Sequence, residues 1–544
     1  MFTLGTSLHW ASICFILLVV WHYFRQRVAL SPLHNIPGPP SESFWTGNLR
    51  QFFDRHGHIF HQRLVREYDS VVKIHGSFGR LILYVYDPKA LHTMIVKEQA
   101  IFEEGSTFIN ANLLVFGPGL LSTIGEQHRK QRKMLNPVFS INHMRRLLPT
   151  FYKAAHKLRI AMMAEVNEKP DEIDVLNWMG RISLELIGQG GLGYSFDPLL
   201  EDVKNDYGEA LKSIFSALQD VFLLRPLLPY VSSLGPAWLR ERIVEILPYA
   251  PLQRLKGLVD IMAKQSAEIF LSKKSALTQG DEVFVQRIGE GKDIMSILMK
   301  MNMIATEEDK LPETELIAQV SSMTLAATDT TSNTLCRILH LLAQHPHIQH
   351  NLRREIEEAN CDDMSYDDLN RLPYLDAVLR ETLRLYPPAT LLSREATRDT
   401  VLPLSQPIGG VDGQLMYEIP IPQGTELFVG VLGSNTCKRI WGDDSLTWKP
   451  ERWLAPLPDA VINAPIPGVY SKLMSFLGGK RACIGFKFAE AEIKTVLSVL
   501  LPTFNFSTSD KPIVWNVATV DYPTVGAEST KPQMPLVIDL VKRI

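Results

Sequence analysis

A single cysteine sits in a glycine-rich loop, Phe476-Leu477-Gly478-Gly479-Lys480-Arg481-Ala482-Cys483-Ile484-Gly485, and an apolar helical run from Phe486 to Leu500 comes directly after it. No other feature narrows the possible folds as far. Glycines let the backbone approach a flat ligand closely. A thiol at a helix amino terminus feels the positive end of the helix dipole, and the Arg481 guanidinium adds to it, so both push the sulfur toward thiolate. Backbone amides beside the sulfur can donate to it and tune its basicity. One axial thiolate on a heme iron needs these features together. The plainer alternative is a buried structural cysteine.

Composition sets the outer limits. The chain has 544 residues, 46% hydrophobic and 21% charged, so it is globular rather than disordered. Its 56 basic and 59 acidic side chains leave no excess that would mark a nucleic-acid partner. Five cysteines in so long a chain do not make a secreted disulfide scaffold. Cys14, Cys336, Cys361 and Cys437 are read as structural.

Leu4 to Phe24 contains no Asp, Glu, Lys or Arg. At about 1.5 Å per residue it reaches roughly 30 Å, the thickness of a bilayer core. Trp10, Trp21 and Tyr23 suit the interfaces, and Arg25 and Arg27 keep the rest of the chain on the cytosolic side. The rival, a cleaved signal peptide, wants a basic amino end and a small-residue cleavage site. The expected organisation is an anchor over 1–24, a basic and proline-rich hinge over 25–40 that holds the body stiffly, and one catalytic domain over 41–544.

The body reads as mainly α with small β-sheets. Short strands are expected at Val71 to His75 and Leu81 to Tyr86. The apolar, proline-rich region 223–252 is either a core segment or a surface that dips into lipid. A helix is expected from Pro312 to Gln344, long enough to cross a domain, with Glu313 and Glu315 at its positive end. Inside it stand Ala326-Ala327-Thr328-Asp329-Thr330-Thr331. That polar run opposes helix propensity, and threonine can bond back to the carbonyl four residues earlier. An acid beside an alcohol can pass protons and hold water; a polar kink without chemistry is the alternative. Glu381 and Arg384 share one helical face. As a surface pair they contribute a few tenths of a kcal/mol, so they matter only if a third partner, with Arg452 as candidate, makes the network a buried one.

The loop pattern F-x-x-G-x-R-x-C-x-G resembles the cytochrome P450 family. The long threonine-bearing helix, Glu381-x-x-Arg384 and Pro450-Glu451-Arg452-Trp453 stand in the family's order, and the likeness covers nearly all of the chain after the anchor. By that resemblance Cys483 is the proximal ligand of the iron in heme b (iron protoporphyrin IX), inside a loop that includes Phe476, Gly479 and Gly485. Glu381, Arg384 and Arg452 form a structural triad. Asp329 and Thr330 handle protons during dioxygen activation. His128 and Arg132 stand where the family shows Trp-x-x-x-Arg against a heme propionate, and Arg394 and Arg481 are similar to its other propionate-binding arginines. Ala327 replaces a frequent glycine and Trp453 a frequent phenylalanine.

The resemblance implies a monooxygenase that inserts one oxygen atom from O2 into a lipophilic substrate such as a terpenoid, sterol or polycyclic aromatic. Electrons would come from NADPH through NADPH–cytochrome P450 reductase, with cytochrome b5 as a further partner. Arg129, Lys130, Lys133, Lys480 and Lys487 are candidates for the docking face, unless they are ordinary solvated charge. Substrate walls are expected at Phe108 to Leu121, the 223–252 region, Met323 and Ala327, Ala389 to Leu392, and Val517 to Val520. The expected setting is a monomer on the endoplasmic reticulum membrane, amino terminus lumenal and body cytosolic, where the sequon Asn505-Phe506-Ser507 would stay unused. The wording of the loops is similar to microsomal members from mushroom-forming fungi, which suggests secondary metabolism, with detoxification as the rival. A heme-thiolate isomerase or dehydratase, or a ligand-binding membrane protein without turnover, are the remaining alternatives.

Overall fold

The computed structural model describes residues 31–168, 172–199, 205–221, 224, 227–232, 234–279, 293–359 and 363–541. The segment read as an anchor lies outside them, as do Cys14 and Cys361. Among the described residues no helix is long and apolar enough to cross a membrane.

The described part of the hinge is not a free spacer. Pro32–Asn35 close one 3-10 turn, capped by the Ser31 side chain, and Leu33 and Ile36 are buried. The Asn35 carbonyl accepts from the Val411 N–H at 2.8 Å, and its side-chain oxygen accepts from the Asp412 N–H at 3.0 Å. The Pro37 carbonyl accepts from the Lys73 N–H at 2.9 Å. The prolines fix φ and need no partner for a donor they lack, so this segment lies along the body as a strap.

The strands are β1 (Val71–His75), β2 (Leu81–Val85), β3 (Phe102–Glu103), β4 (Glu172–Asp174), β5 (Leu391–Ala396), β6 (Thr400–Gly409), β7 (Leu415–Ile421), β8 (Glu426–Gly430), β9 (Phe504–Thr508), β10 (Ile513–Asn516), β11 (Tyr522–Val525) and β12 (Pro535–Leu540). The largest sheet runs β1-β2-β8-β5-β3. Only its β2–β8 pair is parallel, with Leu83 beside Leu427. β4-β12-β9 form a second sheet, and β6–β7 and β10–β11 are hairpins. The sequon at Asn505 lies inside β9, paired to β12.

The helices that frame the interior are α1 (His58–Glu67), α2 (Ser106–Phe116), α3 (Gly125–Leu135), α4 (Ile141–Glu168), α5 (Val175–Leu186), α6 (Asp206–Asp220), α7 (Ala237–Ile246), α8 (Ala250–Gln279), α9 (Ile294–Ile304), α10 (Glu313–Gln344), α11 (Pro346–Glu358), α12 (Pro373–Leu385) and α13 (Phe486–Leu500). The mainly helical architecture with small sheets is the one expected. α10 starts one residue after Pro312 with Glu313 and Glu315 in its first turn. It ends where His345 folds back, its Nδ1 2.8 Å from the Leu341 carbonyl, and Pro346 opens α11. Its 32 residues span about 48 Å. It packs on α5, α8, α12, α13 and β9, and Leu335, Ile338, Leu339 and Leu342 are sealed from solvent. The expected loosening at the polar run is confined to side-chain back-bonds, and the helix continues unbroken through it. Burial of its other faces outweighs the weak propensity of three threonines and an aspartate.

A side chain on Gly38 would bring its first carbon within 1.9 Å of the Lys73 carbonyl oxygen, whereas one on Gly409 would meet nothing. Gly38→Ala should therefore lift the strap and cost about 1–3 kcal/mol, read as a lowered urea midpoint and new cleavage near residue 40 in limited proteolysis. Gly409→Ala should leave both unchanged.

Candidate active site

The cysteine loop is built by its own backbone. Ser471 and Lys472 both have positive φ, 53° and 61°, and carry a tight turn closed by the Tyr470–Leu473 bridge. The Cys483 N–H then donates to the Phe476 carbonyl at 2.9 Å. The Gln99 side chain accepts from the Lys480 N–H at 2.8 Å. Phe476 sets its ring edge-on to Tyr470, centroids 5.4 Å apart, and tilted against Phe486 at 6.0 Å.

Two glycines owe their place here to the protein. A first side-chain carbon on Gly478 would lie 1.6 Å from the Pro467 carbonyl oxygen, and one on Gly479, at φ +63°, would lie 1.9 Å from that of Ile95. Neighbouring backbone thus requires glycine at both positions, apart from any room they leave for a flat ligand. Gly485 would accept a methyl group, its nearest neighbour being the Phe139 ring at 3.8 Å.

The Cys483 thiol lies deep in the protein yet is exposed, so it faces open interior space. Burial is the largest influence on it and raises its pKa; the Gly485 amide and the Arg132 cation act the other way. The expected helpers are the dipole and Arg481; the groups that act on the thiol are the Gly485 amide and Arg132. Desolvation outweighs both helpers, and the helping cation is Arg132, whose guanidinium also donates to the Ala482 carbonyl at 2.7 Å.

Arg481 turns aside. It donates to Glu103 at 3.0 Å and to the Thr123 carbonyl at 2.8 Å. Arg394 donates to Glu104 at 2.8 Å, while its Nε and second terminal nitrogen are buried without a partner. Arg132 and Arg481 flank His128. The His128 pKa is lowered to about 3, by burial first and then by Arg481 and Arg132, so the ring is neutral and keeps one N–H to donate. Glu103 and Glu104 are absent from the residues that the sequence singles out. Two acids at the end of a two-residue strand carry no signal until β3 pairs with β5 and Glu104, just after it, meets Arg394. An interior, accessible sulfur with Arg132 acting on it, and unpaired buried guanidinium donors on Arg394 near Arg481, are a donor set that a porphyrin with two carboxylates takes up, so the residues present fit heme.

On the α10 wall, Met323, Ala326, Ala327 and Thr330 are accessible in a helix otherwise largely buried at this level. Their spacing puts them on one face. The Thr330 hydroxyl donates to the Ala326 carbonyl at 2.7 Å. Burial alone raises the Asp329 pKa to about 7. Its side-chain contact is the Asn333 amide at 3.4 Å.

Glu381, Arg384 and Arg452 do come together. Glu381 receives two bonds from Arg384, at 2.9 and 2.8 Å, and both side chains are sealed from solvent. Arg452 Nε lies 3.3 Å from Glu381 and binds Asp444 at 2.9 Å with another nitrogen. Trp453, expected to differ from phenylalanine only in size, also donates its indole N–H to Glu381 at 2.9 Å. Arg384 reaches the Asn435 and Ser445 carbonyls at 3.0 and 2.6 Å. The Asn435 side chain in turn accepts from the Met474 N–H and donates to Ser475, both at 2.9 Å. The triad is thereby two bonds away from the cysteine loop.

The fold and this arrangement define a mainly helical protein with small sheets and an interior, accessible thiol. The family model for cytochrome P450 matches residues 37–517. The chain is 56% identical to cytochrome P450 monooxygenase 81 of Postia placenta over 96% of both chains. It is 46% identical to the ganoderic acid synthetase of Ganoderma lucidum over 95% of this chain and 96% of that one. The chain belongs to the cytochrome P450 family and is a monooxygenase of its fungal branch.

Glu381→Gln should leave Arg384 facing a neutral partner in a sealed site and cost about 3–5 kcal/mol. Trp453→Phe, which removes one donor to a charged acceptor, should cost about 1.5–3 kcal/mol. Urea denaturation of the holoprotein measures both.

Proposed function

We propose that this monooxygenase oxidises a lipophilic natural product with electrons from NADPH delivered by a separate reductase. The observation that carries the reading is the interior, accessible Cys483 thiol acted on by the Arg132 cation, in a site that also holds the partnerless donors of Arg394 near Arg481. Cys483 holds heme iron through sulfur, and His128, Arg132, Arg394 and Arg481 hold its carboxylates, with Phe476, Gly479 and Gly485 shaping the loop. Bound there, heme supplies the iron at which dioxygen is reduced, with electron push from the thiolate. Asp329 supplies protons while it is protonated. The Thr330 hydroxyl, spending its hydrogen on Ala326, keeps lone pairs free to accept and orient a donor.

Apolar walls favour a substrate that enters from lipid. Tyr230, Trp238 and Ile246 in the 223–252 region are 73, 65 and 79% exposed. That exposure supports a surface resting on the membrane to which 1–24 would anchor the body, on the endoplasmic reticulum. The relative named for ganoderic acid synthesis favours biosynthesis over detoxification. For the reductase and cytochrome b5, Lys130, Lys480 and Lys487 remain the docking charges. Arg129 is paired with Glu126, and Lys133 with Asp309 at 2.9 Å, which narrows the face.

The reading is tested by Cys483→Ser. The wild-type holoprotein, reduced and exposed to carbon monoxide, should show the red-shifted band of a thiolate ligand, and the variant should lose both band and turnover. An unshifted band in the wild type overturns the reading. Proton supply has its own signature. Asp329, with a pKa raised to about 7, is protonated below that pH and ionised above it. Product formed per NADPH should therefore fall as pH rises through 7. In Asp329→Asn it should be low and flat, and in Thr330→Ala it should fall at every pH as electrons go to peroxide.

A further inference from the structure

Arg337 lies seven residues beyond Thr330, on the same face of α10 and about 10 Å along it. Its guanidinium carbon stands 3.4 Å from the centre of the Trp515 ring and 4.4 Å from that of Tyr386. Trp515 is held in place by its own N–H, which donates to His340 Nδ1 at 3.1 Å. The guanidinium is deep in the protein, yet the side chain is partly accessible and none of its nitrogens is sealed. Among the described residues, no acceptor stands within hydrogen-bond or ion-pair reach of those nitrogens. An interior cation with five unspent donors is costly unless something fills the space they face. Stacking between two aromatic rings offsets only part of that cost.

The opposing charge is Asp521. Its carboxylate lies beyond ion-pair distance but close enough to act on Arg337, and His58 approaches it at 3.4 Å. Its main-chain N–H donates to the Pro388 carbonyl at 2.9 Å. The hairpin that carries it is thus fastened to the segment leading into Ala389 to Leu392, one of the expected substrate walls. A carboxylate entering the space would gain Arg337 and face Asp521. A neutral oxygen accepts from Arg337 without that repulsion.

We propose that Arg337 is a specificity determinant that binds a neutral oxygen, hydroxyl or carbonyl, at the end of the substrate remote from the reacting carbon. The inference rests on the monooxygenase reading for the reacting end only. It selects, among rigid lipophiles about 10 Å long, those that already carry oxygen at one end. The reaction that precedes this one therefore leaves an alcohol or ketone on the carbon skeleton.

Calorimetric titration of the holoprotein with androstane, androstan-3-ol, androstan-3-one and androstane-3-carboxylate tests this. The alcohol and ketone should bind about 10- to 100-fold more tightly than the hydrocarbon, and the carboxylate no better than the hydrocarbon. Arg337→Met should reduce the preference to below about twofold while keeping the thiolate-type carbon monoxide band. Asp521→Asn should keep the preference and admit the carboxylate. Equal binding of alcohol and hydrocarbon by the wild type, tightest binding of the carboxylate, or a preference that survives in Arg337→Met would overturn the proposal. Should Arg337→Met fail to take up heme, the wild-type ranking and the Asp521→Asn result decide. An unshifted carbon monoxide band with the preference intact would overturn the heme-thiolate reading and leave this site standing.

Discussion

The fold depends on two opposite charges sealed from water together, Glu381 and Arg384. A buried pair of this kind is no store of stability, because desolvation consumes most of the attraction. What it provides is position. Each remaining lone pair and N–H must find a partner, and the partners come from distant parts of the chain: the Lys449 amide, Trp453, Arg452, and the carbonyls of Asn435 and Ser445. The network therefore fixes where residues 435–453 run against α12. Through the Asn435 side chain it also fixes Met474 and Ser475, at the root of the cysteine loop.

Neighbours in sequence decide the part of the fold that is legible without coordinates. The long helix, the helix after the cysteine and the first two strands lie within a residue of expectation, because periodicity and caps are local. Glu381 and Arg384 pair by their spacing alone. The acids opposite Arg394 and Arg481 are not legible, because Glu104 meets Arg394 across 290 residues beside the β3–β5 pairing, and Glu103 meets Arg481 across 378 residues through the packing of the cysteine loop. The hinge departs from expectation for the same reason. Prolines announce stiffness, but nothing near residue 35 announces that Val411 and Asp412 will bind it. The cation that acts on the thiol is likewise not legible, since Arg132 reaches the cysteine loop only through the packing of α3 against it.

One electrostatic theme runs through the interior. Cys483, Asp329 and Arg394 are all shifted toward their neutral forms, with burial as the first cause in each. An isolated fold would resolve this by leaving such groups out. Here they are held in place by backbone and by neighbours that pair them only in part. Arg394 spends one nitrogen on Glu104 and keeps two unspent. Groups arranged this way are stabilised by whatever brings the missing charge, so a ligand that carries a metal and two carboxylates adds its binding energy directly to the stability of the folded chain.

Helix α10 shows how one element carries several tasks without conflict. Its buried leucines and isoleucines set its place in the core, and that place cannot shift without opening cavities. The accessible stripe from Met323 to Thr330 is therefore presented at a fixed height. Threonine in such a stripe weakens the helix only slightly, because its hydroxyl returns to the carbonyl four residues earlier, as Thr324, Thr330 and Thr334 all do. Ala327, where glycine is frequent in the family, adds a methyl group that the face accommodates as accessible surface rather than as a clash. Two turns on, the same rigidity is what allows Arg337 to stand unpaired, since a charge on a mobile segment would swing out to water.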